Sequence, residues 1–286
     1  MNHEAVKKSL NDYIERLPAL PTTISKIMSI CNDPKSSPAD LSKVISLDPV
    51  LMGRVMKLIN SAYYGMNSEI TSLVRAIIML GLNTVKNLAL STAVLGSVGV
   101  RNTDALNADG FWRHSLCVGV TSKLIAQKIG VPPKDLEEFF IAGLLHDIGK
   151  IPFNNKFPDE YAQCVSLADS GIATLADSEK NEFGCDHGEI GANIASAWSL
   201  NEGLVHAISK HHEKYDGEHK NLVYAVVAAN FFANRMEIGY SGDKNPGEPD
   251  KEVFQHLKIH WGDLEGMEEE IRDAIDNAKI FLKLAG

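Results

Sequence analysis

The residues of this chain best suited to chemistry are a histidine and the aspartate that directly follows it. His146 and Asp147 lie in the run GLLHDIGK, where Gly149 is expected to let the chain turn away and Lys150 follows four residues after the histidine. Imidazole and carboxylate ligands together suit Zn, Fe or Mn rather than Ca or Mg alone. The run predicts two ligands of a divalent metal ion, with the Lys150 ammonium near a phosphate held by that ion.

Four further histidines lie where packed helices could bring them to the same point. His114 lies in a helix predicted to begin near 109–110, His187 begins another, and His211 and His212 end a third. Consecutive helical residues point about 100° apart, so each member of the last pair could reach a different ion. Binuclear sites hold their ions ~3.5–4 Å apart and activate a water for attack on phosphorus. The histidines therefore predict a site for one or two ions of Fe, Mn or Zn.

Helices must position these side chains, because helix signals dominate the chain from end to end. A short N-terminal helix is followed by five helix starts with capping residues or prolines before apolar sets, at Pro21, Ser37-Pro38, Asp48-Pro49, Thr71 and Asn83. A second set of helices is predicted at 111–129, 134–146, 158–168, 187–199, 203–212 and 222–236. No alternation long enough for a strand is present. The predicted fold is all-α.

Breaks in the helical pattern divide the chain. Around 97–108 the apolar period is lost, and 239–250 is rich in Gly and Pro, which predicts a flexible loop. We therefore predict an N-terminal helical lobe at 1–105, a lobe with the candidate metal site at 106–240, and a C-terminal helical extension at 241–286.

Composition and charge exclude several classes of protein. Hydrophobic residues make up 44% of the 286 residues and charged residues 23%, as in globular proteins. With 28 Lys and Arg against 37 Asp and Glu, the net charge is -9, which disfavours binding to nucleic acid or an anionic membrane. No signal peptide is apparent, and no apolar run approaches the ~18 residues of a membrane span. Four scattered cysteines without CxxC spacing fit a reducing cytosol, so a cytoplasmic location is expected.

The motifs resemble known families. The order His114, His146-Asp147, His187 and His211-His212 resembles the HD superfamily of metal-dependent phosphohydrolases, and with HDIGK its binuclear HD-GYP branch. The runs DPVLMGRVMKLINSAYYG and ITSLVRAIIMLGLNTVKNLAL resemble the HDOD (HD-related output domain) family, over roughly 17–213. This resemblance implies an all-α bacterial signalling domain with an N-terminal lobe and an HD-like lobe, in which these side chains would hold the metal.

Two departures from the HD pattern bear on activity. HD enzymes carry a last aspartate ligand on a late helix, whereas VVAANFFANR places Asn230 there, and a neutral amide is a weaker ligand. Cyclic-dinucleotide phosphodiesterases have HHExxDGxGYP, whereas this chain reads HHEKYDGEHKN and lacks the GYP residues. The departures speak against cyclic di-GMP hydrolysis and leave metal binding as a hypothesis.

Each candidate also has a purely structural interpretation. His146 could be a helix-end histidine bonded to its neighbour, and His114 a satisfied core residue. His187 could form, with the His211-His212 pair, a polar cluster without metal. Two further candidates have such alternatives: a structural hydrogen bond is expected at Asn230, and Lys150 could face the negative end of a helix dipole.

Two functions of different class follow. The first is a signalling or regulatory HDOD protein with a metal site, which acts on an unknown protein partner or binds a phosphate-containing small ligand. Such a protein could also form a homodimer. The second is a metal-dependent phosphohydrolase acting on a nucleotide or phosphodiester, in which Asp147 bridges two ions, the five histidines complete them and Lys150 offsets charge on the phosphate. A nucleotide-binding module without turnover is a third, weaker option. Asn230 and the missing GYP residues rank the first function above the second.

Overall fold

A computed structural model describes residues 2–17, 20–33 and 35–285. These residues form seventeen α-helices and one 3-10 turn, with no β-strand among them. The all-α fold predicted from the sequence is therefore confirmed. The helices of the N-terminal part are α1 (His3–Arg16), α2 (Thr22–Asn32), α3 (Pro38–Ile45), α4 (Pro49–Ile59), α5 (Leu73–Leu80) and α6 (Leu82–Ser97).

The remaining helices carry the candidate site and the C-terminal extension. They are α7 (Ala108–Lys128), the 3-10 turn (Pro133–Asp135), α8 (Leu136–Leu145), α9 (Lys150–Lys156), α10 (Pro158–Asp169), α11 (Leu175–Phe183), α12 (His187–Ala197), α13 (Glu202–Lys210), α14 (Lys220–Arg235), α15 (Lys251–Leu257), α16 (Trp261–Gly266) and α17 (Glu268–Ala285). The sequence pattern predicted neither α9 nor α11. The turn expected at Gly149 is present, since residues 146–149 form a turn between α8 and α9, and Gly149 directly precedes α9 with φ -67° and ψ -15°.

Helix starts in the N-terminal part mostly follow the sequence signals. Ser37 and Asp40 form a capping box at α3, and Asp48 accepts hydrogen bonds from backbone N–H groups of α4. Such caps satisfy N–H groups that lack partners within the helix and stabilise it by ~1 kcal/mol. The cap predicted at Asn83 is wrong, because Gly81, at φ 90°, ends α5 and α6 begins directly after it.

A close crossing of α7 and α8 sets the position of the candidate site. A Cβ atom added to Gly143 of α8 would lie 2.6 Å from the carbonyl oxygen of Val118 and 2.7 Å from the Cα of Gly119, both on α7. Only glycine allows the two backbones to approach so closely. The crossing brings the end of α8, where His146 follows, beside the helix that carries His114.

The C-terminal extension packs against both lobes. In α17 the buried residues recur with helical spacing at Ile271, Ile275, Ala278 and Phe281. The Phe281 ring lies 5.3 Å from that of Tyr63, in the N-terminal part, and 4.8 Å from that of Phe140 on α8, as measured between ring centroids. Burial of large aromatic rings at one junction contributes strongly to packing energy. The extension thus joins the two parts, while the boundaries at 105 and 240 stay predictions.

Helix length and composition also bear on membranes. Within the described ranges no single helix is long and apolar enough to cross a bilayer. Only α5 and α6 taken together reach that length and composition, and they meet at an angle of 115°. Residues 84–95 of α6 are buried, so this helix contributes to the core of the fold.

Candidate metal centre

The structure brings all the predicted site residues to one place. They are His114 on α7, His146 and Asp147 directly after α8, Lys150 at the start of α9, His187 at the start of α12, His211 and His212 directly after α13, and Asn230 on α14. Two sets of potential metal ligands result, and within each the ligand atoms lie within 4.8 Å of one another. We name them the His114 group (His114, His146, Asp147) and the His187 group (Asp147, His187, His211, His212). Asp147 is common to both.

In the His114 group two imidazoles face one carboxylate oxygen. Nε2 of His146 lies 3.3 Å and Nε2 of His114 3.7 Å from Oδ2 of Asp147. All three side chains are buried, with at most 1% of each exposed. The two nitrogens and the oxygen surround a point at which a small cation could contact all three.

In the His187 group the imidazoles face the other carboxylate oxygen of Asp147, Oδ1. Nε2 of His187 lies 3.5 Å and Nε2 of His211 3.6 Å from Oδ1 of Asp147. Nε2 of His187 also lies 3.2 Å from Nε2 of His211 and 2.8 Å from Nε2 of His212. Three imidazole nitrogens and one carboxylate oxygen therefore converge, which is the number of ligands in a four-coordinate metal site.

Hydrogen bonds made by Nδ1 fix the tautomer of three imidazoles and leave a lone pair on Nε2. Nδ1 of His146 donates to the carbonyl oxygen of Gly143 and Nδ1 of His211 to that of Ile208, both at 2.7 Å. Nδ1 of His187 donates to a carboxylate oxygen of Glu179 at 2.6 Å. These oxygens can only accept, so Nδ1 carries the proton and Nε2 is left with a lone pair. The lone pairs of all three rings are turned toward Asp147.

The inward atoms lack ordinary partners. Nε2 of His146 and both carboxylate oxygens of Asp147 are buried and form no hydrogen bond with the residues that the structure describes. Nζ of Lys150 lies 2.9 Å from Oδ2 of Asp147, an ion pair without hydrogen-bond geometry. Buried polar atoms are nearly always satisfied, and lone pairs that face one another repel unless a cation lies between them. The donor set therefore fits a metal ion.

The protonation states agree with metal binding. Burial lowers the pKa of His114 to about 3 and that of His211 to about 4. Burial and the neighbouring His211 hold the pKa of His212 well below its ordinary value. Burial alone would raise the pKa of Asp147, but His146 and Lys150 outweigh it and hold that pKa well below the ordinary value. At neutral pH His114, His211 and His212 are thus uncharged, and Asp147 carries its charge, which are the forms that bind metals.

Glu179 is a site residue that the sequence did not reveal. Its Oε2 accepts hydrogen bonds from the backbone N–H of His187 at 2.8 Å and from the ring, and its Oε1 accepts one from the Tyr161 hydroxyl at 2.9 Å. Burial opposes a charge on His187, whereas the Glu179 carboxylate raises its pKa. A signal was available: Glu179 stands between Leu175 and Phe183, each four residues away on the buried face of α11.

Lys150 is held inside the protein. Its Nζ lies 3.1 Å from the carbonyl oxygen and 3.3 Å from Oγ of Ser241, as well as beside Asp147. Only 1% of the residue is exposed. Because Lys150 begins α9, its charge meets the positive end of that helix, and the Asp147 carboxylate compensates it. The loop predicted at 239–250 is present, since these residues form no helix or strand, and Ser241 to Asp243 within it are buried.

Asn230 lies beside the His114 group and bonds to it. Its Oδ1 accepts a hydrogen bond from Nε2 of His114 at 3.0 Å and another from Nδ2 of Asn234 at 2.9 Å. Because an amide oxygen only accepts, Nε2 of His114 carries the proton here, and binding of a metal by this nitrogen would replace that hydrogen bond. The Asn234 amide thus orients the Asn230 oxygen toward the imidazole. A neutral amide oxygen stands where the HD pattern has a carboxylate, so the His114 group carries one negative charge fewer.

Comparisons with known proteins bear on what this geometry belongs to. The HDOD domain profile matches residues 17–214. The chain belongs to the HDOD family. This HDOD protein is 29% identical over 244 residues to an uncharacterised protein of Treponema pallidum (strain Nichols), which covers 84% of the chain and 45% of the relative. Over 179 residues it is 26% identical to a Ribonuclease Y of Lawsonia intracellularis (strain PHE/MN1-00), which covers 61% of the chain and 26% of the relative. The chain therefore spans less than half the length of these curated relatives.

Solved structures share the fold over nearly the whole HDOD chain. An HDOD domain protein of unknown function from Geobacter sulfurreducens is 28% identical with a TM-score of 0.70, over 96% of this chain and 98% of that one. A candidate phosphohydrolase from Shewanella amazonensis SB2B is 26% identical with a TM-score of 0.69, over 97% of this chain and 98% of that one. The HDOD resemblance predicted from the sequence is confirmed.

Removal of the Glu179 charge is expected to weaken metal binding by the HDOD protein. In Glu179→Gln the side chain keeps its size, but the acceptor that fixes the His187 ring loses its charge. Loss of such an outer partner typically reduces metal affinity by about 10–100-fold. Competition with a chelator measures the affinity, and Glu265→Gln, at an exposed position, is the matched control. Equal affinities in both variants would show that Glu179 does not position His187.

Restoring the missing charge at Asn230 is expected to strengthen metal binding. Asn230→Asp adds a carboxylate beside His114 with almost no change in volume. We expect the affinity for Mn2+ to rise by about tenfold, ~1.4 kcal/mol, since opposite charges attract strongly when shielded from water. Asn193→Asp places the same charge at an exposed position of α12 and should leave the affinity unchanged. A weaker Mn2+ affinity in Asn230→Asp would place this residue outside the ligand set.

Proposed function

We propose that this HDOD protein is a regulatory domain in signal transduction that binds a phosphate-containing small ligand at a divalent-metal centre. The observation that carries the proposal is the orientation of His146, His187 and His211. Each uses Nδ1 to bond an outer oxygen and turns Nε2 toward Asp147. An outer hydrogen bond of this kind accompanies almost every metal-bound histidine.

The ligand types suggest which ions are held and where. Imidazole with carboxylate suits Fe, Mn or Zn, and we propose one or two of these ions. The His187 group offers three imidazoles and Asp147, whereas the His114 group offers two imidazoles, the shared carboxylate and the neutral Asn230 amide. We expect the His187 group to bind its ion more tightly. A divalent ion supplies positive charge that attracts and polarises a phosphoryl oxygen.

Two features of the chain favour ligand binding over turnover. Asn230 removes one charge from the His114 group, which weakens the case for a second ion. Lys150 is enclosed by Asp147 and Ser241, so its ammonium does not extend toward an incoming phosphate. A site with one well-bound ion can hold a phosphate without the pair of ions that a hydrolytic attack requires in binuclear enzymes.

A metal-dependent phosphohydrolase is the second candidate. The observation that favours it is Asp147, whose two oxygens face different ligand groups as in a bridging carboxylate. The similarity to the candidate phosphohydrolase of Shewanella amazonensis SB2B, at 26% identity, also supports it. The substrate would be a nucleotide or a phosphodiester.

A partner and a location complete the proposal. We propose that the ligand state is passed to a protein partner, and that a homodimer is one form the protein can take. A net charge of -9 speaks against nucleic acid or an anionic membrane as the partner. All four cysteines are free thiols, which fits the reducing cytoplasm that we propose as the location.

Phosphorus NMR on the metal-loaded protein tests the proposal. Bound Mn2+ broadens the 31P resonance of inorganic phosphate that exchanges at the site, so we expect broadening that Asp147→Asn abolishes. A panel of phosphomonoesters and phosphodiesters then decides between the two candidates, because only the phosphohydrolase releases product. Absence of broadening with Mn2+-loaded protein would reject phosphate as the ligand class.

A further inference from the structure

The metal centre borders a small cavity that the C-terminal extension helps to form. The cavity has a volume of about 180 Å3, and His211, His212 and Asn230 contribute to its lining. Residues 246–250 line the same cavity, although they lie beyond the matched HDOD region of 17–214. A segment outside the family region therefore borders the entrance to the site.

This segment belongs to a stretch, 240–252, that we name the strap. At its first end it is tied to Asp169, the last residue of α10. The Tyr240 hydroxyl donates to Oδ2 of Asp169 at 2.7 Å, and Nδ2 of Asn245 donates to the Asp169 carbonyl oxygen at 3.1 Å. The backbone N–H of Lys244 donates to Oδ1 of Asp169 at 3.3 Å. Three hydrogen bonds thus fix this end to the HD-like lobe.

The other end of the strap is held by charge. Glu252 pairs with Lys214 at 2.8 Å and with Lys220 at 2.6 Å, beside the cavity. Between the two anchors, Pro246 and Pro249 are half-buried, and proline restricts the backbone to one φ value. The strap is therefore a short connection with both ends attached.

The volume of the cavity beside the strap favours small ligands. Pockets that take drug-sized ligands measure about 300–1,000 Å3, whereas a cavity of ~150 Å3 holds a benzene molecule. A space of about 180 Å3 thus admits a phosphate group with a small organic substituent. A strand of nucleic acid is larger than this space, and residues 246–250 lie along its approach to His211 and His212.

The charges at the entrance act in the same direction. Glu213, Glu248 and Asp250 line the cavity, as does Lys214, which is paired with Glu252. Glu213 is paired with Lys210 and Lys180. Glu248 and Asp250, both in the strap, form no ion pair with a residue that the structure describes. A chain of phosphates laid across the strap would meet the unpaired carboxylates of Glu248 and Asp250. A single phosphate group that reaches the centre would have its charge offset by the divalent ion proposed there. Repulsion of this kind discriminates against one ligand class without weakening the other.

We propose that the strap is a size and charge filter that restricts the site to a small phosphomonoester and keeps nucleic-acid strands away from the metal ligands. The inference rests on the proposed function, because it concerns the ligand of that same centre. It also distinguishes this chain from the relative named Ribonuclease Y, whose name states action on RNA.

Two probes and one opened variant test the filter in the full chain loaded with Mn2+. The probes are inorganic phosphate and decauridylate RNA, and broadening of their 31P resonances reports approach to the metal. The variant Tyr240→Phe with Glu252→Ala removes one anchor at each end of the strap. We expect its affinity for phosphate to stay within about twofold and its affinity for decauridylate at the metal to rise about tenfold or more.

A second variant keeps the test valid if the opened strap fails to fold. Glu248→Lys changes an exposed charge at the entrance and leaves every anchor in place. We expect stronger broadening of decauridylate by about threefold or more, while phosphate changes little. Glu265→Lys makes the same charge change at an exposed position outside the cavity lining and should not affect either probe.

The outcomes separate the filter from the function. Phosphate broadening in all forms, with decauridylate broadening only after the strap or entrance is changed, supports the filter. Decauridylate broadening in the wild-type protein, or in none of the variants, overturns the filter while phosphate binding stands. Failure of phosphate to broaden in any form overturns the proposed function, and the filter with it.

Discussion

Asp147→Ala is expected to abolish metal binding by the purified HDOD protein. Its carboxylate is the only ligand shared by both groups, and each of its oxygens faces two imidazole nitrogens at 3.3–3.7 Å. Loss of an outer partner alone costs about 10–100-fold in affinity, so loss of this ligand should exceed that range. Elemental analysis of wild-type and variant protein after exposure to Fe, Mn or Zn measures the change.

Two controls separate metal loss from unfolding. Asp147→Asn preserves the side-chain volume while removing the charge, and circular dichroism reports whether its helices persist. Glu137→Gln removes another buried carboxylate, one that pairs with Lys123 and belongs to neither ligand group, and should keep its metal. Full metal content in a folded Asp147→Ala protein would show that the cluster is a polar core and not a metal centre.

Gly149→Ala is expected to cause the largest loss of stability among single changes at the site. A Cβ atom there would overlap the carbonyl oxygen of His187 and lie 2.5 Å from the backbone nitrogen of Gly191. Both atoms belong to the backbone of α12, so no side-chain rotation relieves the overlap, and α12 must move away from α9. Overpacking of this kind lowers the free energy of unfolding by ~1–3 kcal/mol and occasionally more. Because the overlap is with backbone atoms, we expect a loss at or above the upper end of that range.

Chemical denaturation of the metal-free protein measures this loss as a lower free energy of unfolding. Gly53→Ala is the matched control, because nothing lies within 4 Å of its Cβ position in the middle of α4. Alanine is a better helix former than glycine, so the control should gain ~0.5–1 kcal/mol. Because His187 begins α12, Gly149→Ala should also weaken metal binding. Wild-type stability of Gly149→Ala would contradict the close approach of α9 and α12.

The helices that the sequence predicted well are those with strong local signals. Ser37 and Asp48 begin α3 and α4 as their capping chemistry indicates, and apolar residues at helical spacing marked the faces that became buried. Helix α11 escaped prediction because a charged residue, Glu179, stands in its buried stripe. The interruption has a physical cause, since this carboxylate is satisfied by Tyr161 and His187 rather than by water.

Two further features depend on distant neighbours that the sequence did not reveal. Gly149 lies in the turn that the sequence predicted, but glycine is also needed there for the close approach of α12, whose His187 is 38 positions further along the chain. No local pattern reports that contact. The Gly- and Pro-rich stretch after α14 suggested flexibility, yet Lys150 and Asp169 bind its first residues. Local composition reports turn preference and contains no information on such partners.

The sequence by itself determined the helical class, the family and the types of ligand, because capping, periodicity and side-chain chemistry are properties of short segments. The tertiary structure alone decided that Asp147 divides its two oxygens between two sets of imidazoles, that Glu179 orients His187, and that the strap borders the entrance. His114 and Asn230 are in contact although 116 positions separate them. Contacts of this range arise from the packing of whole helices, which no local pattern of residues specifies.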